Sequence, residues 1–327
     1  MDFFCFREST TWKNAVVVTS VWVDFLGSLS NIPPISNFQF PTTPTFISTP
    51  TPTPTLISTS WTRRKFLKSA LWAGIIVFLL DLLYIERYWV QWTFHKVGPT
   101  RDGGIRIAQI TDLHLRELSR VHRGIASRLS EEKIDLIVIT GDAVEDPAGI
   151  PLLDDFLGQM DASISKVAIL GNWEYWGNVD LTALRYCYDK HNVTLLVNEQ
   201  KVFTFNNRTI AVSGMDDLVG GIPDYAKTVA GMPKADFHLL LTHCPQHRDE
   251  MAKLPTDEQP DLVLSGHTHG GQIALLGWAP VTPQGSGQYL AGWYDDQLPP
   301  LYVCKGVGTS ILPIRFGARA EVAVFEV

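Results

Sequence analysis

Cysteine is scarce in this chain of 327 residues. Its four cysteines, Cys5, Cys187, Cys244 and Cys304, are widely spaced and form no CxxC pair. That excludes a disulfide framework and a thiolate-held structural zinc site. Small buried hydrophobes are the expectation for the last three. A basic excess is also lacking: 27 Lys and Arg against 34 Asp and Glu give a net charge of −7. A nucleic-acid partner would call for a basic face, so none is expected. Methionine is missing between Met1 and Met160, leaving no alternative Met start. What is plentiful is apolar content, 45% against 19% charged residues, enough for a sizeable core.

The first sixty residues do not read as a folded domain. Residues 41–60 are almost entirely Pro, Thr and Ser, a run that cannot bury enough surface to offset its ordering entropy. The apolar stretch Ala15–Gly27 is short and carries Asp24, which makes it a poor transmembrane segment. Residues 1–60 are therefore expected to be disordered or a mis-called start.

A targeting signal follows. Thr62–Lys68 reads TRRKFLK and Ser69–Leu80 reads SALWAGIIVFLL, which resembles a twin-arginine export signal. A plain anchor with its basic flank in the cytoplasm, or a buried helix, are the alternatives. No A-x-A site follows Asp81, so an uncleaved anchor is expected, with everything beyond residue 90 on the extracytoplasmic side. Asp81 would cost about 3 kcal/mol at the bilayer centre, which places it at the far interface. The aromatic-rich Tyr84–Phe94 segment suits the headgroup region. The division expected is 1–60, then 61–97 as signal, anchor and linker, then a catalytic domain over 98–327.

From Ile105 onward, short runs of Ile, Val and Leu end repeatedly in polar residues. Ile105–Ile110 ends at Thr111-Asp112, Ile134–Ile139 at Thr140-Gly141-Asp142, and Val167–Leu170 at Gly171-Asn172. Phe237–Leu241 ends at Thr242-His243, and Leu262–Leu264 at Ser265-Gly266-His267. Such runs read as buried strands, and Val121–Glu132 and Leu181–His191 read as helices between them. One Asp after a strand is commonly a turn former or cap. Five strand ends bearing only Asp, Asn and His point instead to a site of oxygen and imidazole ligands, suited to Mn, Fe or Zn.

The ordered blocks Asp112-x-His114, Gly141-Asp142, Gly171-Asn172, His243 and Gly266-His267-Thr268-His269 resemble the calcineurin-like metallophosphoesterase family. The leading anchor, the run IAQITDLHL and the segment GVGTSILPIRF at Gly306–Phe316 are similar to its membrane-associated bacterial branch. The resemblance covers about residues 87–327. It implies an α/β (α+β) fold, a four-layer α/β/β/α sandwich, here preceded by an N-terminal anchor helix. It also implies two divalent metal ions, one held by Asp112, His114 and His269 and the other by Asn172, His243 and His267. Asp142 would bridge both. Asp142, Asn172 and His243 would carry the catalysis, in which a metal-bridging hydroxide attacks phosphorus in line.

In most of the family the third block reads Gly-Asn-His; here Trp173 stands in place of that His. An indole N–H cannot transfer a proton at neutral pH, so an acidic leaving group, in a nucleoside phosphate or a pyrophosphate, is favoured. His247 is a candidate substitute donor, against the plainer reading of a solvent-facing residue. Trp173, Tyr175 and Trp176 are read either as a substrate wall or as core, and Arg116 as a phosphate holder or a surface charge. His122, His191 and His238 match no block and are taken as structural. The expected function is a membrane-associated phosphodiesterase or pyrophosphatase acting on a phosphate ester of lipid-linked or envelope origin. A UDP-2,3-diacylglucosamine pyrophosphatase-like lipid A enzyme and a non-catalytic metal-binding receptor are the alternatives. The sequence does not set the oligomeric state.

Overall fold

The computed structural model describes residues 62–98 and 104–327; the expectation for residues 1–60 falls outside them. The described chain opens on a long helix, α1 (Arg63–Leu80), capped by the Thr62 hydroxyl and burying none of its residues. It runs on through a wider π turn at Asp81–Ile85 and ends at Tyr88. The span Arg63–Tyr88 has a mean hydropathy of 2.0 over its most apolar stretch of 18 residues. Its length and composition suffice to cross a bilayer about 30 Å thick.

Beyond it, two six-stranded sheets stack face to face. The first contains β1 (Gln91–Lys96), β2 (Arg106–Ile110), β3 (Leu136–Thr140), β4 (Ser165–Ile169) and β5 (Val193–Leu195), with β12 (Glu321–Glu326) between β1 and β2. The second runs β10 (Gly292–Tyr294), β11 (Leu301–Val303), β9 (Leu262–Ser265), β8 (Phe237–Leu241), β7 (Arg208–Gly214) and β6 (Glu199–Phe205). β2, β3 and β4 are mutually parallel, as are β7, β8 and β9. Being covered on both faces, they read as continuous apolar runs rather than alternating ones. The β6–β7 hairpin turns at Asn206 and Asn207, both with positive φ, the tight turn that suits strand twist.

One core lies between the sheets, where Ile107, Val138 and Val167 meet Ile210, Leu239 and Leu264. Another lies between the first sheet and helices α2 (Arg120–Glu131), α3 (Gly149–Leu157) and α5 (Leu181–Lys190), the short α4 (Asn172–Trp176) sitting among them. The outer face of the second sheet is covered more thinly, by Met251 and Tyr289 among others, and by helices of only four and five residues. This is the four-layer α/β/β/α sandwich that the resemblance implied. Cys187, Cys244 and Cys304 are free and buried, as read.

The three unassigned histidines are structural. His191 pairs with Asp154 at 2.5 Å and His238 with Ser213 Oγ at 2.9 Å. His122 Nδ1 accepts the Ser119 backbone N–H at 3.1 Å and closes the α2 capping box. Burial, then the nearby charges of Arg123 and Arg87, lower its pKa from 6.5 to about 4. The folded-state pKa is thus below the unfolded one, so this group's contribution is present above about pH 6.5 and is lost as pH falls toward 4. His122→Gln keeps an acceptor at the capping-box position. Its melting temperature relative to the unmodified chain is expected to rise as pH falls from 6.5 to 4. An offset that stays flat across that window would remove His122 from the acid response.

Candidate metal centre

Every block found in the sequence lies at the carboxyl end of a parallel strand, and the two sheets bring those ends together. β2 delivers Asp112 and His114, β3 delivers Asp142, and β4 leads into Asn172 at the start of α4. From the facing sheet, β8 delivers His243 and β9 delivers His267 and His269. Below the site, Gln109 on β2 donates to the Ser265 carbonyl on β9 at 2.9 Å, bonding one sheet to the other. Asp112, His114, Asp142, His267 and His269 all adopt positive φ. Non-glycine residues reach that region at a cost, and such outliers cluster at functional sites. Gly141 has φ +89°, and a Cβ there would sit 2.6 Å from His243 Nδ1, so only glycine allows the close approach.

Two buried groups result: Asp112, His114 and His269 in one, Asp142, His243 and His267 in the other. His114 Nε2 and His269 Nε2 are 3.0 Å apart, and His267 Nδ1 is 3.1 Å from His243 Nε2. Asn172 Oδ1 joins the second group, 3.2 Å from His243 Nε2. One oxygen of Asp142 faces both groups, 3.2 Å from His243 Nε2 and 3.6 Å from His114 Nε2. All seven residues singled out in the sequence are therefore brought to one place.

The partners of the rings set which nitrogen is free. His243 Nδ1 lies 2.8 Å from the Thr140 carbonyl, and His267 Nε2 2.7 Å from that of Gln284. His114 Nδ1 is 3.0 Å from Glu145 Oε1. An acceptor at one ring nitrogen places the hydrogen there and turns the lone pair of the other inward. At His243 and His267 this leaves two lone pairs facing each other at 3.1 Å, which repel unless a positive charge stands between them, so the donor set there fits a cation. Protons respond to the same field. Although burial opposes it, Asp142 and Asp112 hold His243 well above the usual histidine range. Burial likewise opposes charge on His114, but Glu145, Asp142 and Asp112 hold it raised. Asp142 itself is held at about 2, the charges of His243 and His114 outweighing its burial.

Other residues that hold these ligands were not read from the sequence. Glu174, fully buried, accepts backbone N–H groups from Gly171, Asp142, Ala143 and Val144 at 2.7–3.2 Å, tying the two loops that carry Asp142 and Asn172. Burial, then the charge of Asp142, raises its pKa to about 7. Gln at this position offers one acceptor oxygen and a conflicting NH2. Glu174→Gln is expected to lower turnover about 10- to 100-fold, the usual cost of losing a group behind a ligand. It should also cost about 1–3 kcal/mol of stability through unpaired buried N–H groups. Unchanged turnover and melting would show that the loops hold themselves. Arg116 is ion-paired with Glu145 at 2.5 and 2.8 Å, so it steadies the partner of His114. Arg315, fully buried, donates to the carbonyls of Gly306 and Ala318 and comes within 3.3 Å of His269 Nδ1.

A cavity of about 430 Å³ opens above the centre. Asp142, Asn172, His267 and His269 lie at its polar end, and Trp173, Trp176, Ile273, Val281, Ile311 and Leu312 line its apolar part. Trp173 and Trp176 line the cavity. Tyr175 instead packs on the core and donates to Asp216. His247 is neither a donor at the site nor solvent-facing: it is 4% exposed and lines a different cleft. Its pKa is lowered by burial.

A two-sheet sandwich with Asp, Asn and His ligand sets at facing strand ends defines a metal-dependent phosphoester hydrolase. Residues 105–271 match the family described as calcineurin-like phosphoesterase, and the chain belongs to it. It is 32% identical over 257 residues to the uncharacterized metallophosphoesterase YkuE of Bacillus subtilis, covering 74% of this chain and 87% of that one. It is 28% identical over 253 residues to the phosphodiesterase YaeI of Escherichia coli, covering 74% and 90%. To a metallophosphoesterase of Aquifex aeolicus it is 28% identical over 272 residues, covering 77% and 97%.

Proposed function

We propose that the chain is a membrane-anchored, two-metal phosphodiesterase or pyrophosphatase acting on a lipid-linked or envelope substrate. The observation that carries the reading is the pair of buried ligand groups, with one oxygen of Asp142 facing both, at the end of a largely apolar cavity. Asp112, His114 and His269 would hold one cation, Asn172, His243 and His267 the other, with Asp142 between them. Bound there, two divalent cations supply positive charge for the phosphoryl oxygens and lower the pKa of an attacking water.

The chain's own groups account for the rest. Asn172 orients its side chain beside His243, and the backbone N–H of Trp173 fixes Asp142 by donating to Oδ1 at 2.9 Å. Trp173 and Trp176 pack edge to face, centroids 5.9 Å apart, and shield that side of the cavity from water. Among the residues lining the cavity, the histidines are His267 and His269, both proposed as ligands. That leaves leaving-group protonation weak, which favours anhydrides and acidic esters. The phosphodiesterase name of one relative supports a diester. The apolar helix Arg63–Tyr88, none of whose residues is buried, supports an anchor. Its basic start, Arg63 to Lys68, supports an inside-to-outside orientation with the catalytic domain on the extracytoplasmic side.

The test is hydrolysis of bis-p-nitrophenyl phosphate and p-nitrophenyl phosphate by the full chain, supplied with Mn, Zn, Fe or Mg. Metal-dependent turnover with the diester preferred is expected. A folded protein that binds cations and turns over neither ester with any metal would make it a receptor instead.

A further inference from the structure

Two loops flank the cavity mouth, and both hold apolar side chains out of the protein. On the first, Leu276 is fully exposed, Trp278 is 67% and Val281 76% exposed, with Leu275 beside them. On the second, Ile311 is 75% exposed and Leu312 lies next to it. Leu276 and Ile311 also sit at positive φ, 52° and 59°. Bulky side chains rarely adopt that conformation, and here both point outward rather than into a core. A cluster of this kind marks an interaction surface.

The fold connects both loops to the apolar part of α1. Phe316 stands in edge contact with Phe78, ring centroids 5.2 Å apart, and Phe78 lies two residues before the end of the helix. The backbone of Phe316 pairs with the first loop, donating to the Gln272 carbonyl at 2.9 Å and accepting from Ala274 at 2.7 Å. Arg315 N–H donates to the Leu82 carbonyl at 3.2 Å, and Ala320 N–H to that of Glu86 at 2.9 Å. A bilayer that takes up α1 through Phe78 therefore reaches Phe316 at the same depth, and the two loops with it.

We propose that the loop tips around Leu276 and Ile311 insert into the leaflet from which α1 emerges, setting the cavity mouth in the lipid headgroup layer. The segment Gly306–Phe316 is then the strap that joins metal centre, rim and anchor. The proposal rests on the anchor reading of α1, and the partner is the bilayer rather than a protein.

The test uses the full chain with Cys5→Ser and one added cysteine carrying an environment-sensitive fluorophore, since Cys187, Cys244 and Cys304 are buried. The variants are Leu276→Cys on the rim, Leu71→Cys in α1, and Asn206→Cys in the distant hairpin turn. Each is reconstituted into phosphatidylcholine–phosphatidylglycerol vesicles with and without lipid bearing a quencher high on its acyl chain. The expected result is a blue shift and quenching at positions 276 and 71, several-fold stronger than at 206. Quenching at 71 with none at 276 would overturn the rim insertion and leave the anchor standing. Quenching at neither would overturn both. A blue shift at 276 without lipid quenching, accompanied by crosslinking between copies, would make the rim a protein contact and also overturn the proposal.

Discussion

Asp142→Asn is expected to lower kcat/KM toward bis-p-nitrophenyl phosphate by at least about 1,000-fold, the upper range for removing one preorganised electrostatic group. The reason is the position of its carboxylate. One oxygen faces His243 and His114 at 3.2 and 3.6 Å, while the other accepts the backbone N–H of Trp173. Asparagine keeps the shape and the acceptor but removes the charge that both ligand groups share. Asp142→Ala removes the acceptor as well, and should add about 1 kcal/mol of destabilisation to the same kinetic loss. The two variants together separate charge from folding. An Asp142→Asn protein with near-normal turnover would remove Asp142 from the centre of the account.

The second large effect concerns Trp173. Its indole occupies the place where most of the family carries a histidine, its ring 5.9 Å from that of His114 and lining the cavity. With no proton donor there, turnover of the unmodified chain is expected to fall steeply as the leaving group becomes less acidic. Trp173→His should raise hydrolysis of an alkyl ester by about 100-fold, the lower end of what a positioned general acid contributes. It should leave the p-nitrophenyl ester, whose leaving group needs no proton, nearly unchanged. Equal effects on both would mean that Trp173 acts only by packing.

The ligand residues were legible because each follows directly from a buried parallel strand. Where Ile107, Ala108 and Ile110 are buried in the core, Asp112 and His114 just afterward stand out, and the same holds at Asp142, Asn172, His243 and His267 after their own strands. The groups behind the ligands left no such mark. Glu145 and Arg116 are 29 residues apart, and only the packing of two loops makes them a pair that supports His114. Glu174 was visible beside Asn172, yet its four backbone donors come mostly from a turn some 30 residues earlier. His247 lies four positions after His243, but the chain turns it into a different cleft. The rim and strap, residues 273–281 and 306–316, have little regular structure, and periodicity has nothing to report there. Likewise, the pairing of β1 with β12 sets Gln91 beside Glu321, 230 residues further on, a register no local pattern encodes.

The central claim is that both ligand groups act together, each holding a cation. The most direct measurement strips the full chain with a chelator, confirms that it remains folded, and titrates Mn back while following hydrolysis of bis-p-nitrophenyl phosphate. The account predicts no turnover in the stripped protein and a plateau at two equivalents per chain, one for each group. Full activity in the metal-free protein, or a plateau already reached at one equivalent, would contradict it.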